Sequence, residues 1–175
     1  MFKAIAKWPD EFSIGSINGT VEFFQLTNEH PVIVNIKLYN IPNGIHGFHV
    51  HENPLTSKTS KCSELGGHFN PYKTVHGSYY LNTQRHVGDL INNLNVINNK
   101  IEHMYVDPLI SLDSCKINCI LNKSLVIHDT FDDEGIPGLK ALNKGIKLNE
   151  MEKNSLISGN AGNRIACTNI KLCNC

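Results

Sequence analysis

Residues 31–39, "PVIVNIKLY", constrain the fold more than any other stretch of this 175-residue chain. Val32, Val34, Ile36 and Leu38 fall on one side; Ile33, Asn35, Lys37 and Tyr39 fall on the other. An extended backbone sends successive side chains to opposite faces, so this period of two marks a strand with one face in a core. Related runs recur. "FKAIAKW" gathers Phe2, Ala4, Ala6 and Trp8 on one face, and "TVEFFQL", "KIEHMYV", "SLVIH" and "RIACTNI" are short and rich in β-branched or aromatic residues. Turn signals separate them at Asn18-Gly19, Pro42-Asn43-Gly44 and Asn98-Asn99. No stretch carries a convincing amphipathic helix, and no repeat or linker interrupts the pattern. The expected fold is therefore all-β, an antiparallel sandwich or barrel, formed as a single domain over residues 1–175.

Two segments break the rhythm. Residues 52–85 and 129–163 are long, polar and rich in Gly, Asn and Ser. Loops of that length are uncommon in a compact domain unless they serve function. Composition narrows the functions available. The 16 basic and 16 acidic side chains cancel, so no strong overall field points to a nucleic acid or a membrane surface. No run approaches the ~20 apolar residues of a membrane helix, and the N-terminal "MFKAIAKWPDEF" has neither an apolar core nor a small-residue cleavage site. A cytoplasmic protein is expected, in which the sequons at Asn18 and Asn122 are idle. The abundance of Asn, Ile and Lys matches an AT-rich genome such as that of a large DNA virus, which would make the host cytoplasm or the virion its location. In such a compartment the six cysteines would ordinarily be free thiols or metal ligands.

The chemistry lies in the histidines. "IHGFHVHEN" places His46, His49 and His51 within six positions of an apolar run. Strand parity splits them: His49 and His51 project together as candidate ligands, whereas His46 points the other way and reads as a hydrogen-bonded structural imidazole. Downstream, "GGHFNPYKTVHG" and "QRHVGDL" add His68, His76, His86 and Asp89, a set of three histidines and one carboxylate that suits a closed tetrahedral zinc site. "SLVIHD" brings His128 to join His49 and His51 around a second metal, where thiolate-free imidazole ligands suit Cu(II).

The motifs "GFHVHE", "GGHFNP", "HG", "RHVGDL", "LVIHD" and "GNAGNRIAC", in this order, closely resemble those of the copper/zinc superoxide dismutases, over about residues 3–171. The resemblance implies an eight-stranded antiparallel Greek-key barrel with two long functional loops, usually a homodimer. It implies one copper and one zinc per chain. His49, His51, His68 and His128 would hold copper; His68, His76, His86 and Asp89 would hold zinc, with His68 as the bridge. His46 matches a family histidine that binds no metal. Asp132 resembles a carboxylate that links a copper-ligand histidine to a zinc-ligand histidine, here His49 and His76, and so fixes their orientation. Cys62 and Cys167 match the family's intrasubunit disulfide, which persists in the cytosol and overrides the rule on compartments. The implied reaction disproportionates superoxide to dioxygen and hydrogen peroxide, with copper cycling between Cu(II) and Cu(I). His68 would carry a proton, and Arg164 would attract and dock the anion beside copper.

Several positions depart from the family pattern. The segment between Asp132 and Arg164 is longer than usual, as is the first loop. Glu150, Glu152 and Lys153 are out of register with the usual channel charges, whose places hold uncharged residues such as Asn154 and Ile157; Ser158 stands where threonine is common. A salt dependence unlike that of typical members is expected. Cys173-Asn-Cys175, the Cys-x-Cys tail at 173–175, resembles the tail of the family's copper chaperone; we read it as a frayed terminus with two incidental thiols, self-loading of copper being the alternative. Cys115 and Cys119 are expected to be buried or interface thiols. A catalytically inactive homologue that binds metal or copper chaperone is the rival reading, but it would be expected to lose copper ligands or Arg164. The copper chaperone itself would need an N-terminal Met-x-Cys-x-x-Cys domain that this sequence lacks, and a zinc-only structural domain leaves the extra histidines unexplained.

Overall fold

A computed structural model describes residues 1–81 and 84–173. Eight strands dominate: β1 (Phe2–Trp8), β2 (Asn18–Gln25), β3 (Val32–Tyr39), β4 (Gly44–His51), β5 (Asn92–Val96), β6 (Lys100–Asp107), β7 (Ser124–His128) and β8 (Arg164–Leu172). Every pairing between them is antiparallel, in the spatial order β5-β4-β7-β8-β1-β2-β3-β6. The β3–β4 and β6–β7 connections each cross from one part of the sheet to a distant one, as in a Greek key. Strands β5 and β6 approach each other across the remaining seam, so the sheet is a nearly closed barrel.

The alternation of β3 is realised without a break: Val32, Val34, Ile36 and Leu38 are buried, Ile33, Lys37 and Tyr39 are exposed, and Asn35 is half-buried. In β1, Ala4, Ala6 and Trp8 enter the barrel, with Phe2 packed at the margin. Strand β4 is buried on both faces from His46 onward. Phe48 and Val50 join the barrel core, so parity turns His49 and His51 outward, against the long segments that cover this side.

Three local expectations are corrected. Asn18-Gly19 is not a turn but the start of β2; Gly19 has φ +123°, and a Cβ there would sit 2.0 Å from the Lys37 carbonyl oxygen. The close approach of β3, not a reversal, demands glycine. Strand β5, "NNLNV", carries three asparagines in five residues and gave no strand signal. The second long segment is not helix-free: it holds α1 (Ile136–Asn143) and α2 (Glu150–Ser158). Of these helices, α2 is set by its ends rather than by an apolar stripe. Asn149 accepts the Glu152 N–H at 2.9 Å while Glu152 accepts the Asn149 N–H at 2.9 Å, and Gly159 closes α2 at φ +64°. Their apolar contact is small, with Gly138 of α1 against Leu156 of α2.

Candidate metal centre

The sheet register brings the ligands together. His49 and His51 of β4 pair with Val126 and Ser124 of β7, and His128 ends β7 at a bulge against Arg164 of β8. The first long segment returns to this surface through an isolated bridge between His51 and His68, and Phe69 N–H donates to the Val50 carbonyl at 2.8 Å. Gly88 lets the turn at Val87–Asp89 close on β4; a Cβ there would lie 2.1 Å from the Val50 carbonyl oxygen.

Two buried groups result, and they share one residue. His49, His51, His68 and His128 offer four nitrogens within 4.8 Å of one another, and His68, His76, His86 and Asp89 form a second such set. In the first set, the outward nitrogens are already satisfied. His49 Nε2 lies 2.6 Å from Asp132 Oδ2, His51 Nδ1 3.0 Å from the Gly66 carbonyl and His128 Nδ1 3.1 Å from the Gly162 carbonyl. That leaves His49 Nδ1, His51 Nε2, His68 Nε2 and His128 Nε2 facing inward. In the second set, the Nδ1 atoms of His68, His76 and His86 lie 2.8, 3.0 and 3.1 Å from Asp89 Oδ1. Tetrahedral zinc with bonds of about 2.0–2.1 Å sets its ligand atoms roughly 3.3 Å apart, so each of the three nitrogens stands slightly closer than that to Asp89 Oδ1.

The orphaned atoms test the fit directly. Six buried side-chain nitrogen or oxygen atoms lack a hydrogen-bond partner among the described residues, and four of them are His49 Nδ1, His68 Nε2, His76 Nδ1 and His86 Nδ1. A buried polar group without a partner is costly, and here each one faces a pocket of the right donor type. The all-imidazole pocket fits copper, and the three-imidazole, one-carboxylate pocket fits zinc.

Electrostatics separate the two pockets. Burial lowers His49 to about 4, with the Asp132 contact only partly opposing it, and lowers His128 to about 4. His68 is lowered to about 3 by burial and the neighbouring His49, against the pull of Asp89. His51 is also held well below its ordinary value by burial, then by His68 and Arg164. These rings are neutral and available as ligands. His76 behaves oppositely: burial opposes its charge, but Asp132 and Asp89 outweigh it and raise it to about 10. Asp89 and Asp132 remain ionised despite burial because the histidines around them favour the carboxylate.

Asp132 spans both groups. Its Oδ2 takes the His49 contact and its Oδ1 lies 2.8 Å from His76 Nε2. Asn93 grips the same residue, accepting its N–H at 2.8 Å and donating to its carbonyl at 2.9 Å. The role of Asn93 and those of the Gly66 and Gly162 carbonyls were invisible in the sequence. Backbone acceptors leave no side-chain pattern, and Asn93 sits in the unrecognised β5. His46 stands apart from both sets, its Nδ1 and Nε2 directed at the carbonyls of His128 and Pro42 at 2.8 and 2.9 Å, so it ties β4 to its neighbours.

A cavity of about 470 Å³ opens onto the first pocket, floored by His51, His68 and His128, with Arg164 at its side. Asn154, Ile157 and Ser158 of α2 form its rim. The nearby Lys153 is paired with Glu150 at 2.5 Å in an exposed contact. Arg164 is fixed by donating to the carbonyls of Cys62 and Gly66 at 2.6 and 2.5 Å. Cys62 and Cys167 form a disulfide with Cα atoms 5.9 Å apart, which ties the first long segment to β8. Of the remaining thiols, Cys115 is exposed and Cys119 half-buried, so of the two alternatives expected for them, burial is not met; both sit on a surface loop whose apolar anchors are Ile110, Leu112 and Ile120. Cys173 is half-buried, and Cys175 lies outside the described residues.

A Greek-key barrel bearing two adjacent metal pockets with one histidine in common defines a binuclear metalloprotein with an open channel to one metal. The comparisons with known proteins agree. The family model for copper/zinc superoxide dismutase matches residues 17–170. Superoxide dismutase [Cu-Zn] 5 of Dictyostelium discoideum is 36% identical over 159 residues, covering 89% of this chain and 91% of its own. Superoxide dismutase [Cu-Zn] of Paramecium bursaria Chlorella virus 1 is 37% identical over 153 residues, covering 87% and 72%. The crystal structure of the clock protein EA4 superposes with a TM-score of 0.75 at 32% identity, covering 97% of this chain and 93% of that one. The chain belongs to the copper/zinc superoxide dismutase family.

Proposed function

We propose that the chain is a superoxide dismutase in which His49, His51, His68 and His128 hold copper and His68, His76, His86 and Asp89 hold zinc. The observation that carries this reading is the pair of pockets sharing His68, with unpartnered nitrogens aimed into both. When bound, copper supplies a one-electron couple between two superoxide ions, and zinc fixes the shared imidazole. Two superoxide ions and two protons give one dioxygen and one hydrogen peroxide. Arg164 binds the incoming anion: its guanidinium stays charged and is held beside the channel floor by two carbonyls. Whenever His68 Nε2 is not engaged as a ligand, it is the atom that would hold a proton, while its Nδ1 stays on the Asp89 side. Asp132 keeps His49 and His76 in the tautomers that turn Nδ1 inward. Asn154, Ile157 and Ser158 of α2 line the approach. The inactive-homologue reading is not favoured, since all seven ligands and Arg164 converge here.

We further propose that residues 1–175 act as one domain, that the protein works in the cytoplasm as a homodimer, and that a copper chaperone supplies its metal. The resemblance to the family supports the dimer. Light scattering and sedimentation test it, with a mass twice that of the 19.5 kDa chain expected. The functional reading is tested by loading the protein with copper and zinc and following superoxide decay. Rapid decay that Arg164→Ala slows, with both metals retained, is expected. Bound metal with no decay would overturn the reading.

A further inference from the structure

A second cleft, of about 540 Å³, adjoins the metal channel. It shares Gly162 and Arg164 with the channel and is otherwise lined by residues that include Lys61, Ser63 and Asn163. Among the described residues, Lys61 and Arg164 are the charged side chains lining the two cavities, both cationic, and no carboxylate lines either one. The α2 rim contributes no charge. Lys61 is exposed, and among the described residues its ammonium has no ion pair. The adjacent Glu64 carboxylate is turned onto the Lys61 backbone N–H at 3.0 Å, which fixes the turn that displays the lysine. The next residue, Cys62, gives its carbonyl to Arg164 and its sulfur to the disulfide. One short, pinned strap therefore carries the second cation and anchors the first.

We propose that Lys61 is a substrate-guiding residue, which with Arg164 makes this cleft the cationic approach for small anions to the metal channel. The inference rests on the proposed superoxide chemistry for its substrate but on the cleft alone for its anion preference. A free lysine at such a mouth raises the local concentration of anions, an effect that salt screens. Lys61→Gln, the charge-retaining Lys61→Arg and the outlying Lys37→Gln are each loaded with copper and zinc and compared with wild type. Below about 0.01 M salt, Lys61→Gln is expected to lower the second-order rate with superoxide about two- to threefold, the difference fading by about 0.15 M. Lys61→Arg restores the rate and its salt slope, and Lys37→Gln leaves both unchanged. As a readout independent of turnover, inorganic phosphate is titrated into the reduced Cu(I)/Zn protein while the Gly162 and Asn163 amide signals are followed. Phosphate affinity is expected to fall about two- to threefold in Lys61→Gln at low salt. Equal phosphate affinity in wild type and Lys61→Gln overturns the proposal, as does an unchanged salt slope in an active enzyme. A protein that holds both metals but never consumes superoxide defeats the dismutase reading, and the phosphate titration then decides Lys61 by itself.

Discussion

Asp132 is the residue whose loss should be felt in both metal pockets at once. Its two oxygens serve two histidines, His49 Nε2 at 2.6 Å and His76 Nε2 at 2.8 Å, and it is only 2% exposed. An Asp132→Asn side chain offers one acceptor and one NH2, so whichever way the amide turns, one histidine N–H faces another donor. That histidine either rotates or moves its proton to Nδ1, the atom aimed into the pocket. Each hydrogen bond to a charged group contributes about 1.5–3 kcal/mol, and losing such a supporting partner weakens metal binding about 10–100-fold. The expected result is loss of about 10–100-fold in affinity at whichever pocket faces the amide nitrogen, with a smaller loss at the other because the remaining bond is uncharged. Competition with chelators of known affinity measures copper and zinc separately, and thermal melting of the fully loaded variant shows that the barrel is intact. If both affinities stay within about twofold of wild type in a folded Asp132→Asn protein, the carboxylate is not orienting these ligands and the reasoning fails.

Three more perturbations follow from particular contacts. Gly47→Ala places a methyl group 2.8 Å from Ala161 Cβ and 3.2 Å from both His128 Cβ and His49 Cε1, so copper affinity should drop while zinc is retained, at about 1–3 kcal/mol of stability; equal loss of both metals on metal analysis would contradict this. Removing the disulfide with Cys62→Ser and Cys167→Ser opens a loop spanning a sequence separation of 105 and should lower stability in urea unfolding by about 5 kcal/mol, a change under about 1 kcal/mol being the contrary result. In the metal-free protein His76 is raised to about 10, so at pH 7 it is protonated and zinc at Nδ1 must expel a proton. Calorimetry in buffers of different ionisation enthalpy should detect that proton, and its absence would refute the assignment. The same shifts give the metal-free protein a pH profile. The raised His76 stabilises fully below its unfolded value of about 6.5, and that contribution is lost as pH rises toward 10. The lowered His49, His68 and His128 act oppositely, costing stability as pH falls from about 6.5 toward their folded values of about 4, 3 and 4.

Much of this site was legible because its ligands obey strand parity and short motif spacing. The alternation of β3 announced a barrel wall, and the spacing of His46, His49 and His51 already set His46 apart from the pair that joins the imidazole cluster. Helix α2 escaped because it is not amphipathic: it buries only Ser155 among its residues, and its capping box at Asn149 and Glu152 was the signal that periodicity could not supply. Helix α1, of eight residues, is too short for its period to stand out. Strand β5 escaped because asparagine favours turns, yet Asn92 and Asn93 are there to bond the metal loops, Asn92 accepting from Tyr79 N–H and Asn93 holding Asp132. Gly19 misled in the other direction, since its dipeptide signals a hairpin while the backbone of β3 is what excludes a side chain. Function here overrides local propensity, and those are the places where propensity reads wrongly.

The account stands on His68 serving two pockets. Diffraction from crystals of the copper- and zinc-loaded protein, with anomalous data at both absorption edges, tests this directly. The predicted result is copper among His49, His51, His68 and His128, and zinc among His68, His76, His86 and Asp89, with the His68 ring between them in the oxidised protein. Two metals without His68 between them, or a single metal filling only one pocket, would contradict it.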